Sequence, residues 1–196
     1  MAAITVKPGT VKAGSIKASA RKVMVLPIYL YGQKVLRKRA TDVAKVTPEL
    51  AKLADDMLET MYASAGIGLA APQVGKSIRL IVVDVTGEEE EKKPLALFNP
   101  VVVDPRDSCS AEEGCLSVPG VWADVERPET ITVQALGKDG KPVTLKNISG
   151  LLARCIQHEI DHLNGVLFVD KISNTDRTLN EGKLKKLSKE AKSVPT

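Results

Sequence analysis

Histidine is almost missing from this chain: there are two in 196 residues, at positions 158 and 162. Any chemistry that needs imidazole must pass through that one pair. Aromatic residues are also scarce, at 3%, so a core has to be built mainly from aliphatic side chains. Acidic residues are missing from the first 41 positions, while lysines and arginines run from Lys7 to Arg39. No base-reading motif accompanies those charges, so the plain reading is a solvated basic tail, with a nucleic-acid or ribosome-facing arm as its alternative. Long apolar runs are lacking too. The stretch from Val23 to Tyr31 is interrupted by Pro27 and is too short to span a bilayer, so it reads as a strand. Cysteines 109, 115 and 155 cannot form a complete set of pairs. With no secretory signal, they point to a reducing cytosol and to thiols kept for packing or metal binding.

The chain is long enough for one substantial core. Residues 1–23 read as a basic flexible extension and 24–196 as a single domain, with Met24 standing where a native start could be. An organellar transit segment is the other reading of the extension. Thr47-Pro48-Glu49 predicts a helix start, followed by one apolar face (Leu50, Leu53, Ala54, Met57, Leu58, Met61) and a stop at Gly66. Strand-like runs follow at Ile78–Val85, Leu95–Val103, Val121–Val125, Ile131–Leu136 and Val143–Leu145. Ser149 is placed to cap a second helix that Asn164-Gly165 stops, and a last helix spans Thr178 to Lys192 using Leu179, Leu184 and Leu187. Strands without regular β-α-β alternation predict an α+β fold: antiparallel sheets around a central helix, with one helix in the N-terminal half and another at the C-terminus.

The second helix carries His158-Glu159-Ile160-Asp161-His162, an H-E-x-x-H pattern. Histidines four apart stack about one turn from each other on one helix face and can grip a single ion. Glu159 lies about 100° around the helix and can reach a water on that ion without ligating it. A third ligand is wanting. Phe168 stands where a metzincin would place a histidine, and a gluzincin would use a downstream glutamate such as Glu181. Cys155 shares the histidine face, but three ligands over seven helical residues would stretch across about 10.5 Å, too far for bonds of about 2 Å. Cys115, in Glu113-Gly114-Cys115-Leu116-Ser117, reads as a loop cysteine beside a flexible glycine. Spacing alone does not separate Cys115 from Glu181.

Three segments, in this order, resemble the motifs of peptide deformylases: Gly66-Ile67-Gly68-Leu69-Ala70-Ala71-Pro72-Gln73, Glu113-Gly114-Cys115-Leu116-Ser117 and Gln157-His158-Glu159-Ile160-Asp161-His162. The flanking Val25-Leu26-Pro27-Ile28 and Leu167-Phe168-Val169-Asp170-Lys171-Ile172 extend the likeness over about residues 24–175, on the pattern of the family's type I branch. The resemblance implies a metal-dependent hydrolase that removes the N-formyl group from the initiator methionine of nascent polypeptides and releases formate. It implies Cys115, His158 and His162 as ligands of one divalent ion, Fe2+ in the cell, with Zn2+, Ni2+ or Co2+ able to replace it. In that scheme a metal-bound water attacks the formyl carbon, Glu159 acts as general base and then acid, and the Gln73 amide and the Leu116 N–H donate to the carbonyl oxygen. Three protein ligands plus an open position also fit the general pattern of catalytic sites.

By the resemblance, Ile67, Leu151, Cys155 and the His158 side take positions like the wall of the family's methionine pocket, and the Gly68 region lets an extended substrate peptide pair along its backbone. Arg127 has the place of an arginine near the peptide cleft, though as a residue it could equally sit on a strand surface. Asp161 reads as bonded locally or to solvent, and Trp122 and Pro119 as packing of the loop. The partners implied are N-formylmethionyl peptides and, through a lysine-rich C-terminal helix, the ribosome; no membrane and no sequence-specific nucleic acid is expected. The compartment implied is the bacterial cytoplasm, or an organelle if residues 1–23 are a transit segment. A gluzincin-type peptidase using Glu181 and a non-catalytic formyl-peptide binder are the competing readings.

Overall fold

Thr47 starts the first helix as its composition predicts. In the computed structural model, which describes residues 24–87 and 89–192, its hydroxyl accepts the Leu50 N–H at 3.4 Å and Pro48 opens helix α1, Pro48–Ala63. The helix stops before Gly66: Ala65 takes a left-handed φ of 53°, and the Gly66 N–H closes back onto the Met61 carbonyl at 2.9 Å. The basic extension at 1–23 lies outside the described residues.

Seven strands follow: β1 Gly68–Ala70, β2 Leu80–Val83, β3 Leu95–Arg106, β4 Cys109–Cys115, β5 Val118–Arg127, β6 Thr130–Leu136 and β7 Pro142–Ile148. The order β1-β2-β3-β6-β7 forms one antiparallel sheet, and β4 and β5 form a separate hairpin. Helices α2, Gly150–Leu163, and α3, Asn174–Lys192, complete the fold. The architecture is the expected α+β, with the H-E-x-x-H helix at its centre.

Strand β2 shows why α2 is central. All four of its side chains are buried, because both faces of the sheet are covered. Leu80 and Val82 join Ala54, Met57 and Met61 of α1, whereas Ile81 and Val83 join Ala153, Ile156 and Ile160 of α2. Period-two alternation thus divides one strand between two helices. A third apolar cluster unites Cys115, Val118 and Val121 of the hairpin region with Phe168 and with Leu184 and Leu187 of α3. No helix among the described residues is long and apolar enough to cross a membrane.

Several local expectations need correction. Residues 24–30 form no strand: Met24 and Leu26 donate their N–H groups to Asp56 Oδ1 and Thr60 Oγ1 of α1, and Pro27 has none to offer. Cys115 closes strand β4 and is not a loop residue. Ser149 occupies the N-cap position of α2 but makes no capping bond with its side chain. Helix α3 begins at Asn174, four residues before the expected start, and buries Leu184, Leu187 and Ala191 while Leu179 faces solvent at 74% exposure.

Candidate metal centre

Strand β4 delivers Cys115 to the histidine pair across a β-bulge. The ladder with β5 shifts register between Glu113 and Cys115, and Gly114 lies under the Trp122 ring, where a Cβ would come 2.6 Å from Trp122 Cζ3. Trp122 therefore packs on the glycine of this motif. The Cys115 Sγ lies 3.2 Å from His162 Nε2, and the ligand atoms of Cys115, His158 and His162 all fall within 4.8 Å of one another. Thiolate and imidazole bonds to a tetrahedral ion put neighbouring ligand atoms about 3.3–3.6 Å apart. All three residues are buried.

His158 is oriented from behind. Its Nδ1 lies 2.9 Å from Oε2 of Glu113, a fully buried carboxylate that can only accept, so Nδ1 carries a proton and Nε2 is left to face the site. Glu113 is itself clamped: Arg127 donates from Nε to Oε1 at 2.5 Å and from Nη2 to Oε2 at 2.8 Å, and Arg154 Nη1 donates to Oε1 at 2.7 Å. Asp161 takes a bond from Arg127 Nη1 at 2.8 Å and pairs with Lys171 at 2.7 Å. Burial opposes the Glu113 charge, but hydrogen bonds from Arg127 and His158 outweigh it and hold the carboxyl well below its ordinary range.

The histidines respond in opposite directions. Burial works against a charge on His158, yet its hydrogen bonds to Cys115 and Glu113 prevail and push it up to about 10. His162 is driven well below its ordinary value by burial, then by the charge of its neighbour. A buried thiol and carboxylate thus draw positive charge to the His158 face, and the donor set of one sulfur and two imidazoles suits a divalent transition metal. The residues present fit such an ion.

Glu159 is 2% exposed, and its Oε2 finds no hydrogen-bond partner among the described residues. Burial pushes its carboxyl up to about 7. Gly68 of β1 makes room for it: a Cβ there would come 2.5 Å from Glu159 Oε1 and 2.6 Å from Cys155 Sγ. Gln73, in the short turn Ala71–Val74 after β1, has its Oε1 fixed by the Ala70 N–H at 2.7 Å. That bond leaves Nε2 facing Ser117 Oγ at 3.1 Å and Cys115 Sγ at 3.7 Å. Leu116 sits in the β4–β5 turn, directly after Cys115.

The pocket expectations fare differently. Cys155 is wholly buried, its thiol turned to the Ile67 carbonyl at 3.4 Å. Ile67 is buried with it, and Leu151 is half-buried against the same apolar cluster. Arg127 is not a strand-surface residue: at 2% exposure its donors are engaged by Glu113 and Asp161. A hollow of about 170 Å³ beside the site is lined by Cys115, Leu116, Val118, Pro119, Gly120, Val121 and Trp122. Glu181 is 61% exposed on α3 and paired with Lys185, well outside the cluster. Glu113, Arg154, Asp161 and Ser117 were not legible as site residues, because nothing in their local sequence says what they face. The polar load of α2 was the one available signal: a buried helix carrying Arg154, Gln157, His158 and Glu159 needs polar partners.

A family model described as polypeptide deformylase matches residues 25–178. The peptide deformylase of Agrobacterium fabrum is 48% identical over 169 residues, which cover 86% of this chain and 97% of that one. Two solved structures share the fold. Peptide deformylase from Legionella pneumophila aligns with a TM-score of 0.77 at 43% identity, covering 87% of this chain and 99% of that one. The enzyme from Ehrlichia chaffeensis, in complex with actinonin, aligns with a TM-score of 0.78 at 40% identity, covering 86% and 98%. With the sequence match spanning all three motifs, the chain belongs to the polypeptide deformylase family, metal-dependent hydrolases that remove the N-formyl group from nascent polypeptides.

Proposed function

We propose that Cys115, His158 and His162 hold one divalent ion and that Glu159, Gln73 and Leu116 carry out formyl hydrolysis around it. The observation that supports this most is the buried meeting of three ligand atoms beside a carboxylate whose Oε2 is unpartnered among the described residues. The ion is Fe2+ in the cell, with Zn2+, Ni2+ and Co2+ as replacements; a thiolate with two imidazoles accommodates each. When bound, it supplies Lewis acidity at the formyl oxygen and a water acidified towards neutral pH.

Glu159 takes the proton of the attacking water at Oε2 and later delivers it to the departing amine. A carboxyl raised by burial is suited to both halves of that transfer. The Gln73 Nε2 and the Leu116 N–H receive the negative charge that develops on the carbonyl oxygen. Glu113 holds the His158 proton on Nδ1 throughout. The products are formate and a peptide with a free amino-terminal methionine.

Residues 24–196 form the catalytic domain and 1–23 an extension to it. The protein works in the cytoplasm on N-formylmethionyl nascent chains. Helix α3 exposes Lys183, Lys185, Lys186 and Lys189, which suits a contact with ribosomal RNA. Ribosome co-sedimentation that survives deletion of residues 176–196 overturns that contact.

The decisive experiment loads the protein anaerobically with iron or nickel and measures formate release from a formyl-Met peptide. Cys115→Ala should lose both metal and activity, and Glu181→Ala should keep both. The reverse pattern, or no formate from freshly loaded protein, overturns the proposal.

A further inference from the structure

The backbone of residues 29–31 ties together two turns that no sheet connects. Tyr29 donates its N–H to the Gln73 carbonyl at 2.7 Å, and Tyr31 donates its own to the Ser117 carbonyl at 2.8 Å. Gln73 follows β1 of the five-stranded sheet, and Ser117 lies in the turn of the separate β4–β5 hairpin. Inside the site the same two residues meet again, where Gln73 Nε2 donates to Ser117 Oγ at 3.1 Å. One bond joins the turns through side chains and two join them through the strap's backbone.

The strap is held in place on both sides. The Tyr29 ring packs on Gly75, whose φ is +78° and where a Cβ would come 2.8 Å from Tyr29 Cε2. Tyr29 and Tyr31 also pack against the cluster containing Cys115, Val118 and Phe168. Beyond Tyr31, Gly32 at φ +105° lies so close to α3 that a Cβ would come 2.7 Å from Ser188 Cα. Upstream, Met24 and Leu26 are bonded to α1.

We infer that the backbone N–H groups of Tyr29 and Tyr31 form a positioning strap for the two groups that receive the substrate carbonyl oxygen. The two donors are two residues apart and so at most about 7 Å from each other, which limits the separation of the Gln73 turn and the Leu116–Ser117 turn. Donors to a developing oxyanion act only if both sit within hydrogen-bond reach of one oxygen, and a misplacement of about 1 Å costs about a hundredfold in rate. Two turns on separate sheets have no shared ladder to impose that. The inference rests on the roles given above to Gln73 and Leu116.

The test replaces single N–H groups with ester oxygens. Tyr29 or Tyr31 is exchanged for its α-hydroxy acid by nonsense suppression in cell-free translation, leaving the side chain intact. Leu30, whose N–H goes instead to Gln33 Oε1, is the matched control. Esters at 29 and 31 should each lower kcat on a formyl-Met peptide by about tenfold, with KM and bound metal within about twofold, while the ester at 30 changes none of them. In a Gln73→Ala background the ester at 29 should lose most of its effect. The side-chain NH2 resonance of Gln73 should shift with the esters at 29 and 31 and stay put with the ester at 30.

That resonance is read without turnover. A protein that releases no formate therefore overturns the deformylase roles, whereas an unmoved Gln73 resonance overturns the strap. An equal loss from the ester at 30, or an undiminished cost of the ester at 29 in Gln73→Ala, also overturns it.

Discussion

Replacing Glu113 with glutamine changes one oxygen for an NH2, and the geometry dictates where that group must go. At the Oε1 position it would confront Arg127 Nε and Arg154 Nη1, at 2.5 Å and 2.7 Å, both obligate donors. At the Oε2 position it meets Arg127 Nη2 and His158 Nδ1, at 2.8 Å and 2.9 Å. Of these four groups only the imidazole can exchange donor for acceptor, so the NH2 settles at Oε2 and forces the His158 proton onto Nε2. That is the nitrogen the metal needs. Loss of an orienting partner behind a histidine ligand costs about 10–100-fold in metal affinity. Arg154 also loses its buried anion, while Arg127 keeps only Asp161; breaking a buried pair costs about 3–5 kcal/mol of stability. Metal affinity is read by competition with a chromophoric chelator, and stability from the urea midpoint of the metal-loaded protein. A variant that binds metal within about twofold of the parent and unfolds at the same urea concentration would refute this reasoning about His158.

Gly68→Ala should keep the metal but lower kcat by at least about tenfold, because its Cβ would lie 2.5 Å from Glu159 Oε1; overpacking there costs about 1–3 kcal/mol. Metal analysis and formate release on one sample check it, and full activity would show that Glu159 tolerates displacement. Asp84 gives a pH dependence of stability. Burial opposes its charge, but hydrogen bonds from Thr86 and Tyr62 outweigh it and hold its pKa below 3.8. Its contribution is therefore complete above the unfolded value near 3.9 and disappears as pH falls through the lower folded value. Asp84→Asn should make the loss of stability below about pH 4 shallower, as urea midpoints against pH would record. On α3, Leu184→Ala should cost about 2–5 kcal/mol by opening the third apolar cluster, whereas Leu179→Ala should stay within about 0.5 kcal/mol. Equal costs would mean that the face of α3 is misassigned.

Much of the fold could be read along the chain because its signals are local. Thr47-Pro48 at a helix start, the apolar, mostly β-branched run at Leu80–Val83 and the stop at Asn164-Gly165 each depend on neighbours a few residues away. Where those readings failed, a distant partner had decided. Residues 24–30 have the composition of a strand, but Met24 and Leu26 give their N–H groups to α1 side chains and Tyr29 gives its own to the Gln73 turn. Leu179 has the spacing of a core residue, but α3 docks on the faces bearing Leu184 and Leu187.

The site divides along the same line. The sequence by itself determined that His158 and His162 share a helix face with Glu159 beside them, since four residues make about one helical turn. The ordered motifs then singled out Cys115 and Gln73. Only the tertiary structure decided that Glu113 orients His158, that Arg127 is buried within that network, and that Gly68 is small for the sake of the Glu159 carboxylate. These contacts join β1, β4 and α2, and they are set by the register and depth at which the elements pack, which no run of neighbouring residues encodes.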